Sequence, residues 1–196
     1  HRAEAVAFAR RPGTFALVID CVSGKILHQL TPPDTRQFNG HGAFSAGGDL
    51  LMTSEVVAEG SAGRIGLWDT QDYTRIGEWD TGGIGPHDLK RLPDGRIVVA
   101  NGGIQTDPGD RTKLNIASMR PNLTLLSPDG RILDQATLPD GLHQNSIRHL
   151  ALTPDGIAFA MQWEGDPAEP VPQLGLWQPG TAPRLCPPDQ ADAFAM

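Results

Sequence analysis

Ten side chains in this sequence could do chemistry together: His41, Glu55, His87, Asp88, Asn101, His143, Asn145, Arg148, His149 and Trp163. Neutral imidazoles and carboxylates are the ligands that hold divalent ions at mixed sites, with Mn, Fe, Zn or Ca as the fitting metals. Arg148 and the imidazoles would instead grip an anionic or polar small molecule. A third reading is structural, since polar residues at loop starts hydrogen-bond nearby backbone and pin the loops. Spacing along the chain does not separate the three, because groups drawn from different repeats have no fixed separation.

The elements that must position these residues are repeats. His87-Asp88-Leu89-Lys90-Arg91-Leu92-Pro93-Asp94-Gly95 followed by Arg96 to Ala100 returns as Arg148 to Gly156 followed by Ile157 to Met161. An earlier copy runs from Gly40-His41-Gly42 through Gly47-Gly48 to Thr53. Each copy is a strand, a tight turn and a second strand, which is a hairpin signature. A further hairpin follows each: Arg64 to Trp79, Asn122 to Asp134, and Gln173 onward, with Thr14 to His28 at the start. The unit is therefore four strands, A to D. Its period is 47 residues from Gly47 to Asp94 and 61 from Asp94 to Asp155, the excess falling between Asn101 and Pro121. Four short strands at such a period mark the blades of a β-propeller.

The expected fold is all-β, a single partial propeller over residues 1–196 with blades at about 5–30, 38–80, 86–138 and 147–190. The first copy lacks strand A, and the last offers only a weak strand D around Arg184 to Cys186. Roughly three and a half blades result, fewer than most closed rings need. Open sheet edges are aggregation hazards, so the chain reads as part of a longer ring or as one that pairs with a second copy. The weaker alternative is a four-bladed ring closed by Ala191 to Met196.

Loops divide unequally between the two faces. The A–B and C–D turns are tight. The D–A connections (31–40, 80–86, 138–147) and B–C connections (55–63, 101–121, 163–172) are long and share a face, where binding residues usually gather. Aligning the copies on their turns makes His41, Asp88 and His149 equivalent, with Gly40, His87 and Arg148 just before them. Ser54, Asn101 and Gln162 are equivalent at the end of strand B, followed by Glu55, Gly102 and Trp163; His143 and Asn145 lie in the third D–A loop.

Composition narrows the partners. A net charge of −7 and the lack of any basic block argue against nucleic acid. No apolar run approaches the ~18 residues of a membrane span. Gly (23) and Pro (17) favour short elements joined by turns over long helices; one helical turn is expected between Lys113 and Ser118. Cys21 and Cys186 read as buried free thiols rather than a disulfide, and neither has zinc-site spacing. The start at His1 without Met reads as a processed or trimmed chain. Asn122-Leu123-Thr124 matches a glycosylation triplet but begins a strand. Gly82-Gly83-Ile84-Gly85 reads as a flexible loop, with no following helix to help it cradle phosphate. Trp68, Trp79 and Trp177 belong to packing between blades, whereas Trp163 would wall a pocket. No Gly-x-Ser-x-Gly elbow exists, and Ser54 has no base beside it in sequence.

Asn39-Gly40-His41-Gly42-Ala43-Phe44-Ser45, Gly85-Pro86-His87-Asp88, Val99 to Thr106, Met119-Arg120-Pro121-Asn122-Leu123 and His143-Gln144-Asn145-Ser146-Ile147-Arg148-His149 together resemble a bacterial family catalogued as domain of unknown function fifteen-thirteen. The resemblance runs from about Ala3 to the end. It implies a seven-bladed propeller about twice this length, exported to the periplasm and often encoded beside imelysin-type proteins and a haem-containing thiol-oxidoreductase-like protein. It implies no established activity.

Two functions follow as expectations. The first is a non-enzymatic periplasmic propeller that binds a small molecule, a divalent metal or a partner protein on its long-loop face and serves iron or metal uptake. The second is a metal-dependent lactonase or hydrolase on the propeller axis, with Glu55 or Asp88 as base. A bare protein-interaction platform would differ from both by showing an exposed apolar patch and no ion.

Overall fold

The computed structural model describes residues 2–9 and 14–188. Four antiparallel sheets follow one another along the chain, each built from strands that are neighbours in sequence. The first holds β1 (Glu4–Phe8), β2 (Ala16–Asp20) and β3 (Ile26–Leu30); the second β4 (Arg36–Phe44), β5 (Leu50–Val57), β6 (Ala62–Asp69) and β7 (Arg75–Ile84). The third holds β8 (Pro86–Arg91), β9 (Ile97–Asn101), β10 (Asn122–Leu126) and β11 (Ile132–Thr137); the fourth β12 (Asn145–Thr153), β13 (Gly156–Trp163), β14 (Leu174–Trp177) and β15 (Arg184–Leu185). The chain is an all-β propeller-type arc of four-stranded blades, the first of which has three strands here.

Turn chemistry explains the hairpins. At Leu92-Pro93-Asp94-Gly95 and at Ser127-Pro128-Asp129-Gly130 the final glycine takes φ +90° and +85°, a left-handed conformation that only glycine adopts cheaply. Backbone bonds close both turns, with Leu92 N–H donating to Arg96 O at 2.7 Å and Ser127 N–H to Arg131 O at 2.8 Å. The aspartates add side-chain bonds: Asp94 accepts from Arg96 N–H and Asp129 from the Ser127 hydroxyl.

The core lies between blades, not within them. Ala16, Val18, Leu30, Phe38, Leu51, Trp68 and Tyr73 join the first blade to the second. Met52, Ile65, Leu67, Leu89, Ile97, Val99 and Leu126 join the second to the third. Val98, Ala100, Leu123 and Leu125 meet Ile147, Leu150, Phe159 and Trp177 across the next interface. In β9 Ile97 and Val99 serve one neighbouring blade and Val98 and Ala100 the other, so these four are buried on both faces and read as an unbroken apolar run before the buried Asn101. The innermost strands β4, β8 and β12 consequently pack side by side.

Several expectations fail in detail. The D–A connection expected over 80–86 is strand: β7 continues to Ile84, and Gly85 alone (φ +60°) links it to β8. The extension fits because a side chain on Gly63 would lie 2.0 Å from Thr81 Oγ1, so glycine there lets β7 cross close. Gly82-Gly83-Ile84 is therefore strand, not a flexible loop. Cys21 is exposed rather than buried, and both cysteines are free. The helical turn narrows to Ile116–Ser118, and the weak last strand forms at Arg184–Leu185. The closing segment weighed at 191–196 lies outside the described residues.

Candidate functional site

All three innermost strands bulge at the same level, and the bulges set the site. In β4, Phe38 pairs with Glu55 and Gly42 with Thr53, so Asn39, Gly40 and His41 together face Ser54. In β8, Pro86 pairs with Asn101 and Asp88 with Ala100, leaving His87 extra. In β12, Ile147 pairs with Met161 and His149 with Ala160, leaving Arg148 extra. A bulge bends its strand and re-aims the side chains beside it. Ser54 holds the first one: its hydroxyl donates to His41 O at 3.0 Å and accepts from His41 N–H at 3.2 Å.

The re-aimed rings meet. His41, His87 and His149 each offer a nitrogen, and these atoms lie within 4.8 Å of one another. Ring centroids are 5.0 Å apart for His41 and His87, 5.5 Å for His41 and His149, and 4.8 Å for His87 and His149. His41 and His87 are half-buried and His149 is exposed, so the group opens to solvent on one side. Burial pushes the His87 ring down to about 3, helped by the charge of Arg148. Burial also lowers His41, against the pull of the Asp88 carboxylate. Both rings are therefore neutral at pH 7, the state in which imidazole binds metals.

Asp88 takes a different part from the one its alignment with His41 and His149 implies. Its buried carboxylate accepts from Leu89 N–H at 2.8 Å, Lys90 Nζ at 3.0 Å and, across the blade interface, Leu150 N–H at 3.0 Å. One of its oxygens also lies 3.5 Å from His41 Nδ1. It stitches β8 to β12 and flanks the imidazoles from behind.

The other expected site residues do not join the histidines. Glu55 is fully buried, bonded to Arg75 at 2.8 Å and to the Thr53 hydroxyl at 2.8 Å. Burial pushes its carboxyl up while Arg75 and Thr53 pull it back. Gly66 makes this possible, since a Cβ there would sit 1.8 Å from Glu55 Oε1. Asn101 donates to Thr81 O at 2.9 Å and Asn122 Oδ1 at 2.8 Å, tying strand ends together. Asn145 donates to Pro172 O. Trp163 donates to Asp166 O at 3.0 Å, and Gly165 folds against its ring; it braces its own loop. His143 is half-buried in the 138–144 connection and is not in the imidazole group. Arg148 reaches Glu164 at 3.5 Å, and its Nε is buried without a partner among the described residues.

Sequence reasoning missed Ser54 as the clamp on His41, and Arg111, Lys113 and Glu164 as the surroundings of Arg148. The first had a signal: Ser54 is the strand-B residue aligned opposite the bulge. The others lie in long connections whose path no repeat predicts.

The sequence model of a family described as "Protein of unknown function (DUF1513)" matches residues 1–196. No curated protein matches the chain. Among solved structures, a protein of unknown function from Bacteroides caccae is 12% identical with TM-score 0.59, over 94% of this chain and 57% of its own. Dihydro-heme d1 dehydrogenase NirN is 15% identical with TM-score 0.53, over 94% and 34%. A Bacteroides fragilis protein described provisionally as a 6-phosphogluconolactonase is 15% identical with TM-score 0.51, over 92% and 50%. At these identities the likeness is one of fold. The chain spans between a third and three-fifths of the structures it resembles.

Proposed function

The chain belongs to the DUF1513 family of unknown function, and from its own geometry we propose that it binds a divalent first-row transition metal through His41, His87 and His149. The observation that carries this reading is the convergence of three nitrogens, from three blades, within 4.8 Å. Imidazole suits Zn, Cu, Fe and Ni, while Ca and Mg demand oxygen. Three nitrogens around tetrahedral zinc stand roughly 3.3 Å apart, so an inward shift of about 1 Å or less per ring would close the set. Three protein ligands leave a further position open, facing the exposed side of His149. Asp88, beside His41 Nδ1, supports that ring as carboxylates behind metal-bound histidines do.

The wider role we propose is metal handling in the periplasm, in support of iron or metal uptake; family resemblance alone supports the compartment and the pathway. The hydrolase alternative loses the bases the sequence offered it, because Glu55 is spent on Arg75 and Asp88 on Leu150 and Lys90. Likeness to a lactonase-named fold does not replace them.

Metal analysis after dialysis against zinc tests the reading. Wild type should retain one zinc per chain, and His41→Ala and His149→Ala should each weaken binding at least tenfold. Equal stoichiometry and affinity in both variants would refute it.

A further inference from the structure

Beside the imidazoles, and sharing none of them, lies a cavity of about 70 Å³ at the meeting of the second, third and fourth blades. Its wall includes Asn39 and Ser61 from the second blade, Arg111 and Lys113 from the long 102–121 connection, and Arg148 from β12. Gly102 lines it too, packed so closely on the fourth blade that a Cβ there would lie 2.8 Å from Ser146 Oγ. We propose that this cavity is an oxyanion-binding pocket for a small molecule bearing a carboxylate or phosphate group, held by Arg111, Lys113 and Arg148.

Charge is the first argument. Three cations line the cavity, and one carboxylate, Glu164, pairs with two of them, Lys113 and Arg148. The group carries +2 in a chain whose net charge is −7. Two acids in the same connection do not line the cavity and serve their own turn: Asp107 accepts from Gly109 N–H at 2.8 Å, and Asp110 from Thr112 N–H at 2.8 Å. Arg111 has no ion pair among the described residues and lines the same cavity as Arg148, so like charges share that wall. An anion would relieve that repulsion.

Unspent donors are the second. Arg148 Nε is buried and unbonded among the described residues. A buried guanidinium N–H left without a partner is costly, and a small turn of the side chain toward a bound oxygen would satisfy it. Backbone geometry is the third. Arg111 sits at φ +68°, a left-handed conformation that is unfavourable for a side-chain-bearing residue and that clusters at ligand sites. It is held there by its N–H donating to Asp107 O at 3.1 Å. Arginine forks with a lysine select oxyanions over halides, because two parallel N–H groups match two oxygens.

Calorimetric titration of the chelator-treated 196-residue chain with inorganic phosphate, and separately with malonate, tests the proposal. At least one should bind, with affinity falling as salt rises, and the stronger of the two tells whether the natural group is phosphate or carboxylate. Arg148→Gln and the exposed Arg111→Ala should each weaken it tenfold or more, while Arg111→Ala leaves zinc binding unchanged. The proposal is overturned if neither anion binds, if both variants bind like wild type, or if binding appears only with zinc present. That last result would place the anion on the metal and leave the metal reading standing.

Discussion

Glu55 and Asp88 are both buried carboxylates, yet they serve different ends. Glu55 neutralises Arg75 inside the second blade, and Asp88 fastens β8 to β12 while flanking His41. Removing one member of a buried pair leaves the other charged and unsolvated. Glu55→Ala should therefore cost about 3 kcal/mol in denaturant unfolding with zinc affinity unchanged; a loss of zinc affinity at full stability would restore Glu55 to the site. Repeat alignment placed Asp88 with His41 and His149, one residue from the ring that meets them. The single bulged residue in β8 turns His87 toward the group and Asp88 into the interface. Residue type was legible there. Which neighbour faces the axis was not, because a bulge leaves no mark in composition or period.

At the scale of elements, the second blade is laced by charge across its strands. Arg36 from β4 and Arg75 from β7 both hold Glu78, at 2.7 Å and 2.9 Å. The Arg36 hydrogen bonds, more than burial opposes them, keep the Glu78 carboxyl at about 2, against 4.5 for the free group. Above pH 4.5 folded and unfolded chains both carry the charge and the stabilisation is whole. It drains as pH falls from 4.5 toward 2, because only the unfolded chain takes the proton. Comparing wild type with Glu78→Gln in urea, the stability gap should be constant from pH 7 to 5 and shrink below; a gap that widens in acid would contradict the network. Gly85 is the second element-level device. It joins β7 to β8 at φ +60°, and a Cβ there would meet Ile104 O at 2.9 Å. Gly85→Ala should cost about 1–3 kcal/mol, read as a lowered Tm. Strand order and tight turns were legible, since Pro-Asp-Gly and alternation state them locally. The extension of β7 was not, because it depends on the room left by Gly63 in another strand.

Across the whole molecule, each interface between blades is an apolar cluster, and the imidazoles bridge three of the blades where β4, β8 and β12 run side by side. A metal held there would tie the blades together as well as fill a site. Zinc at a hundredfold excess over its Kd should add about 2.7 kcal/mol to unfolding, raising Tm in wild type and leaving His41→Ala with His149→Ala unmoved. An equal rise in the double variant would locate the zinc elsewhere. The shape of the arc was foreseeable from the repeat. His41, His87 and His149 were also legible as members of one candidate set; that these three meet while the rest of the set stands apart was not, because it depends on packing between segments 46 and 62 residues apart, with no local rule to select them.

X-ray absorption on the zinc-loaded chain bears most directly on the central claim. The account predicts three imidazole nitrogens at roughly 2.0 Å, with their outer-ring scattering, and one solvent oxygen as fourth ligand. A shell of oxygens alone, or a spectrum unchanged by His87→Ala, would contradict it.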